Sequence, residues 1–174
     1  EKLRFAPRAC AFGTPGEAGM KTFVILSDSH GRKRNLEKIM PLLAENDFVI
    51  HLGDGSTDLR DFMRENPEKV YILKGNCDFS YGAEELTIDV EKVRILCCHG
   101  HKYGVKSGLS RLAARAAELG CDVALYGHTH RADISTVDGV LCINPGSAGD
   151  YASPSYCYLV VHGDKVTPTI VPIR

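Results

Sequence analysis

Almost no net charge is carried by this 174-residue sequence: 21 Lys and Arg stand against 22 Asp and Glu, leaving −1. Without a strong field of either sign, composition makes no case for nucleic acid or a membrane surface as partner. No apolar run approaches the roughly 20 residues of a membrane-spanning helix. The seven cysteines (Cys10, Cys77, Cys97, Cys98, Cys121, Cys142 and Cys157) include no C-x-x-C pair. Their number is odd, and several sit in apolar runs such as RILCC, VLCIN and YCYLVV, where cysteine behaves as a small hydrophobe. That usage excludes a disulfide framework and points to a reducing compartment, hence a cytoplasmic protein. Internal repeats and interdomain linkers are also missing. The length fits one domain, able to bury a core without staples.

Residues 1–19, EKLRFAPRACAFGTPGEAG, show no sustained period and lack the continuous apolar region of a signal peptide. The MKTFVIL that follows reads as a natural start. Residues 1–19 are therefore expected to be a tag or a mobile extension, and residues 20–174 a single domain.

What is present is an alternation of apolar runs and helical patterns. TFVIL (22–26) and FVIHL (48–52) are near-continuous apolar runs, the mark of strands buried on both faces. VYILKG (70–75) and DVALYG (122–127) read the same way. Between them, residues 34–45 place Leu36, Ile39, Met40 and Leu43 at helical spacing, with Pro41 inside the pattern and expected to kink or interrupt it. Residues 56–65 open with capping residues and predict a short helix. Residues 85–100 predict two strands joined near Glu91 and Lys92, and residues 107–120 a helix closed by Gly120. From Asp133 onward the chain is rich in strand patterns. Strand–helix alternation followed by strands predicts a mixed sheet arrangement.

The chemistry lies at the strand ends. Asp28 and His30 follow the first apolar run, Asp54 the second, Asn76 the third, His99 the run at 93–98, and His128 and His130 the run at 122–126. Successive gaps from Asp28 to Asp54, Asn76, His99 and His128 are 26, 22, 23 and 29 residues. Each is close to one strand–crossover–strand excursion of about 30 residues. Parallel strands would bring these ends to one edge of a sheet, where open α/β folds bind ligands. Two carboxylates, four imidazoles and one amide make seven donors with no thiolate among them. One tetrahedral zinc needs about four. Seven suit two ions with a bridging carboxylate, held about 3.5–4 Å apart as in phosphoryl-transfer sites. INPGSAG (143–149) is a further small-residue loop that could line such a site. His51 and His162 belong to or adjoin strands and need no metal.

In order, DSH, GD, GNCD, HGH, GHTH and NPGS resemble the calcineurin-like metallophosphoesterase superfamily, most of all its small YfcE-type phosphodiesterase branch, over residues 20 to about 174. The resemblance implies an α/β fold: a four-layer α/β/β/α sandwich of two mixed sheets flanked by helices, the metallo-dependent phosphatase fold. It implies that Asp28, His30, Asp54 and His130 hold a first metal, that Asp54 bridges, and that Asn76, His99 and His128 complete a second. The activity implied is hydrolysis of a small phosphodiester by a metal-bridging hydroxide. The two divalent ions would be manganese by preference, with Fe, Zn, Co or Ni also suited to such donors. A homo-oligomer is compatible with the resemblance.

One position departs from the family. Where many members read G-N-H-[DE], this chain has Cys77 between Asn76 and Asp78. A neutral thiol is a poor substitute for an imidazolium, so leaving groups that depart easily should be favoured. Asn76 would serve as ligand and phosphate-side donor, while Cys77 and Asp78 are weaker catalytic candidates. The alternatives are a phosphomonoesterase or protein phosphatase, and a non-catalytic scaffold of the same fold, as in a retromer coat subunit. Two features remain: Arg32-Lys33-Arg34, which could attract an anionic substrate, and the loop 99–108 with His101, a candidate outer-shell residue.

Overall fold

The structure is a computed structural model describing residues 10–12, 19–79 and 82–174. In chain order its strands are β1 (Cys10–Phe12), β2 (Lys21–Leu26), β3 (Phe48–His51), β4 (Val70–Ile72), β5 (Glu85–Val90), β6 (Val93–Cys98), β7 (Val123–Leu125), β8 (Ala132–Val137), β9 (Val140–Pro145), β10 (Ser155–His162) and β11 (Lys165–Pro172). The helices are α1 (Lys33–Glu45), α2 (Arg60–Glu65) and α3 (Ser110–Glu118).

The alternating side chains of a strand explain the layers. In β2, Phe23 and Ile25 point to one face and join Ile50, Ile88, Ile95, Leu125, Ile143 and Leu159 in a cluster between two sheets. Val24 and Leu26 point the other way, against Leu36, Ile39 and Leu43 of α1 and Phe62 of α2. On the far side, Leu112, Ala113 and Ala116 of α3 cover Leu96, Cys98 and Ala124. A strand buried on both faces reads as an unbroken apolar run for this reason. The result is the expected α/β/β/α sandwich. One sheet has the order β11-β10-β2-β3-β4 and the other β1-β5-β6-β7-β9-β8. Strands β2, β3 and β4 run parallel, as do β6, β7 and β9. Both sheets are mixed, because β10 pairs antiparallel with β2, β5 with β6, and β8 with β9.

Three expectations are corrected. Helix α1 runs through Pro41 without interruption. Pro41 and Glu37, whose carbonyl loses its partner, are both exposed, so water can take the lost hydrogen bond. Helix α2 starts at Arg60 rather than residue 56. The residues read as its caps are used elsewhere: Asp58 accepts from Ser29 and Gly31, and the Ser56 N–H donates to Asp78. Finally, the ligand-bearing strand ends belong to two sheets rather than to one edge.

Of the residues read as an extension, Cys10–Phe12 pairs in parallel with Ile88–Val90 of β5, while residues 1–9 and 13–18 lie outside the described residues. The six cysteines with described side chains are free, five of them buried and Cys77 exposed. Among the described residues, no helix is long and apolar enough to cross a membrane.

Candidate metal centre

The loops leaving β2, β3 and β4 in one sheet and β6 and β7 in the other converge on a single cage. Asp28 is its floor. Its Oδ2 accepts from the Ser27 hydroxyl (2.5 Å) and the His128 N–H (3.0 Å). Its Oδ1 is buried with no hydrogen-bond donor at all. Around that oxygen stand three imidazole Nε2 atoms, from His130 at 3.1 Å, His30 at 3.8 Å and His99 at 3.9 Å. The Nε2 atoms of His30 and His130 are 3.2 Å apart.

Asp54 stands between the two groups of imidazoles. Its Oδ1 accepts the Cys77 N–H (2.8 Å), while Oδ2 lies 3.4 Å from His99 Nε2 and 3.9 Å from His30 Nε2. The Asn76 Oδ1 is 3.1 Å from the same His99 nitrogen. The His99 and His128 rings meet edge to face at 5.1 Å. Ligand atoms fall within 4.8 Å of one another in the sets Asp28/His30/His130 and Asp54/His99/His128, and again in His30/Asp54/Cys77. All seven donors singled out in the sequence are thus brought together.

Charge makes the same demand. Burial works against protonating His99, but the Asp54 hydrogen bond and the Asp28 and Asp54 charges outweigh it and raise its pKa. Burial likewise opposes ionisation of Asp54, yet His99 and the Cys77 N–H hold its carboxyl well below the usual range. His128 is shifted down by burial, then by Lys106 and His99, which keeps its lone pair available. A buried carboxylate oxygen without a donor is costly. Facing imidazole nitrogens, it fits a divalent cation, and the all-N/O donor set suits borderline or hard ions.

The backbone is bent to aim these groups. Asp28, His30, Asp54, His128 and His130 all have positive φ, between 47° and 67°. Such conformations cost energy in non-glycine residues and persist where surrounding contacts enforce them. Two glycines let the loops approach. A Cβ on Gly75 would lie 2.1 Å from Asp54 Oδ1, and one on Gly127 would lie 1.9 Å from Ser27 Oγ.

A second layer of polar groups enforces this arrangement, and sequence reasoning largely missed it. Asp78 accepts from four backbone N–H groups, those of Asp54, Gly55, Ser56 and Gly75. Its carboxyl is opposed by burial but held below its ordinary pKa by those donors. Its oxygens bind two loops together. His51, read as an ordinary strand histidine, is fully buried and accepts the Gly53 N–H on Nδ1, so its Nε2–H donates to Ser29 Oγ at 2.9 Å. Ser29 in turn donates to Asp58 at 2.6 Å. Asn144 donates to Gly127 O and Thr129 Oγ1, holding the loop between β7 and β8. Small polar residues flanking Asp28 in SDSH were the available signal.

The other candidates are placed as follows. Cys77 is exposed, but partial desolvation of its sulfur, the Asp54 hydrogen bond and neighbouring carboxylates raise its pKa, so it stays a thiol. His101 forms a 3₁₀ turn with Lys102 and Tyr103, 5.4 Å ring to ring from His99, beside a cavity of about 390 Å³. His162, paired in register with Lys165, closes β10 at the end where β2 begins, away from the cage. Lys33 and Arg34 are exposed, while Arg32 donates to the Gly149 carbonyl.

Paired mixed sheets whose strand ends gather carboxylates and imidazoles in this way define a metallophosphoesterase, the class of metal-dependent phosphoester hydrolases. The chain belongs to the calcineurin-like phosphoesterase superfamily, whose domain model matches residues 20–165. It is 38% identical over 149 residues to the probable metallophosphoesterase YsnB of Bacillus subtilis, covering 83% of this chain and 86% of that one. It is 26% identical over 153 residues to the phosphodiesterase YfcE of Escherichia coli K12, covering 74% and 79%. Vacuolar protein sorting 29 of Cryptosporidium parvum shares the fold with a TM-score of 0.78 at 21% identity, covering 89% and 92%.

Proposed function

We propose that this chain is a phosphodiesterase that uses two divalent cations and acts on small substrates in the cytoplasm. Asp28, His30, Asp54 and His130 would hold one cation, and Asp54, Asn76, His99 and His128 the other. The observation that carries this reading is the donorless, buried Oδ1 of Asp28 facing three imidazole nitrogens. When bound, the cations supply acidified water and neutralise charge on phosphate oxygens. The chain's own residues do the positioning. Asp54 Oδ2 lies between both imidazole groups. Asn76, with Oδ1 beside His99, donates one Nδ2–H to the Cys77 sulfur at 3.3 Å and has a second Nδ2–H to offer a phosphate oxygen. The second layer around Asp78 and His51 keeps the loops from relaxing. The neutral Cys77 thiol gives a leaving group little proton assistance, which favours aryl-type leaving groups over alkoxides.

Manganese is the ion to load, since such donors discriminate weakly and availability decides. The fold shared with vacuolar protein sorting 29 admits a scaffold reading, but the complete donor set supports an enzyme. The test is metal analysis coupled to turnover of bis(4-nitrophenyl) phosphate and 4-nitrophenyl phosphate under Mn²⁺. About two cations per chain and faster turnover of the diester are expected. Asp54→Asn should lose metal and lower kcat/KM by more than about a hundredfold, beyond what removing an outer-shell partner does. Preference for the monoester would favour a phosphomonoesterase, and turnover undiminished in Asp54→Asn would remove the cage from the chemistry.

A further inference from the structure

The basic run after the first ligand pair is left over by the cage, and its first member is held in a particular way. The Arg32 guanidinium lies over the Tyr151 ring, 3.1 Å from its centroid, and donates to the Gly149 carbonyl. Tyr151 is 89% exposed; with Phe79, at 99%, it is one of the two most exposed large apolar side chains among the described residues. Both belong to loops that build the cage. Phe79 follows Asn76, Cys77 and Asp78, and Tyr151 follows Gly149, whose N–H donates to the Asp28 carbonyl at 3.1 Å.

The backbone beneath Tyr151 is tied down. Ala148 N–H donates to Ser27 O at 2.8 Å, Ser147 Oγ to Asp28 O at 2.8 Å, and Asn35 Nδ2 to Ala148 O at 2.9 Å. The Oδ1 of Asp150, the residue preceding Tyr151, accepts from the N–H groups of Ala152 and Ser153, both at 2.8 Å. His30 and His130 reach solvent, their side chains being 34% and 45% exposed. The loop beneath the ring is thus anchored to the backbone of Asp28, and the ring itself faces solvent with one face against the Arg32 cation, two residues along the chain from His30.

We propose that Tyr151 and Arg32 bind a planar aromatic arm of the phosphodiester, seated on the ring face that Arg32 leaves free. This deepens, and rests on, the phosphodiesterase reading. A ring already stacked on Arg32, on a loop tied down by hydrogen bonds, gives up less freedom on binding than one on a free loop. The guanidinium on the covered face strengthens the stack and adds positive charge for an anionic diester. A single ring offers far less than the roughly 800 Å² per partner of a stable protein interface. A small ligand is the occupant that fits.

The test uses two esters with one leaving group and one linkage: benzyl 4-nitrophenyl phosphate and cyclohexylmethyl 4-nitrophenyl phosphate, on Mn²⁺-loaded protein. The benzyl ester should be favoured by about tenfold in kcat/KM, the difference lying in KM. Tyr151→Phe should keep this preference, Tyr151→Ala should bring it close to one, and Arg32→Ala should reduce it. Equal rates on both esters in the wild type, or a preference that survives Tyr151→Ala, would overturn the arm site while leaving the phosphodiesterase reading intact. Hydrolysis of neither ester would overturn both. A change of oligomeric state in Tyr151→Ala, read by sedimentation, would assign the ring to a second copy of the chain and overturn the proposal.

Discussion

Single residues here satisfy demands that their own conformational preferences oppose. Among the described residues, seven non-glycine residues have positive φ, and five of them are donors of the cage. The other two, Glu91 and Asp138, sit in hairpin turns, where such a conformation serves the turn itself. At the cage the cost is met by contacts from neighbouring loops, and Asp78 makes four of them. Asp78→Asn should destabilise the fold at pH 7 by about 1–3 kcal/mol, measured by urea unfolding. The pH dependence has a definite sign. The folded-state pKa of Asp78 is lowered by its backbone donors. Its contribution is therefore complete above the unfolded carboxylate pKa of about 3.9, and fades as pH falls through the folded value. Wild type and Asp78→Asn should begin to converge in stability as pH falls below about 4, and meet only below the folded value. A gap that stays constant into acid would show that the charge of Asp78 is not what holds the loops.

Elements follow the pattern of burial more than local propensity. Helix α1 survives an internal proline because Leu36, Ile39 and Leu43 are buried on its inner face, while Pro41 is exposed. Fully burying one such aliphatic side chain contributes about 1.5–3 kcal/mol, so three of them outweigh one lost hydrogen bond and its steric cost. Pro41→Ala should then stabilise the protein by about 1–3 kcal/mol. A higher urea midpoint with unchanged slope would bear this out, and a lower midpoint would mean that the surrounding packing is fitted to the proline. Helix α2 shows the opposite balance. Its first turn is surrendered because Ser56 and Asp58 make contacts across the site instead.

The whole molecule is two sheets brought face to face so that their ligand-bearing ends share one space. The cage draws Asp28, His30, Asp54 and Asn76 from the loops of one sheet and His99, His128 and His130 from those of the other. On the proposed reading, a cation held there would join the two sheets and so link metal binding to folding. At a hundred times its Kd, a bound ion stabilises by about 2.7 kcal/mol. For a chain of this size that corresponds to a rise of roughly 5–10 °C in Tm. Calorimetry with Mn²⁺ and with EDTA should show this difference in the wild type and lose most of it in Asp28→Asn. An unchanged Tm on chelation would mean that the sheets are held without the ions.

The strands from β2 onward, the presence of three helices and the residue types gathered at the cage were legible in the sequence, whereas β1 and the start of helix α2 were not. A run buried on both faces must be apolar throughout, and a donor must be a carboxylate, an imidazole or an amide, so both leave a local mark. TFVIL and the DSH after it, or the GHTH after the run at 122–126, carry that mark without reference to anything distant. Which sheet each strand joins, why helix α2 starts late, and what Asp78, His51, Asn144 and Tyr151 touch were decided only in three dimensions. Those roles consist of hydrogen bonds and ring contacts between residues tens of positions apart, such as Asp54 with Asp78 or Arg32 with Tyr151. A side chain whose partner is chosen by the packing of two sheets carries no trace of that partner in its immediate neighbours.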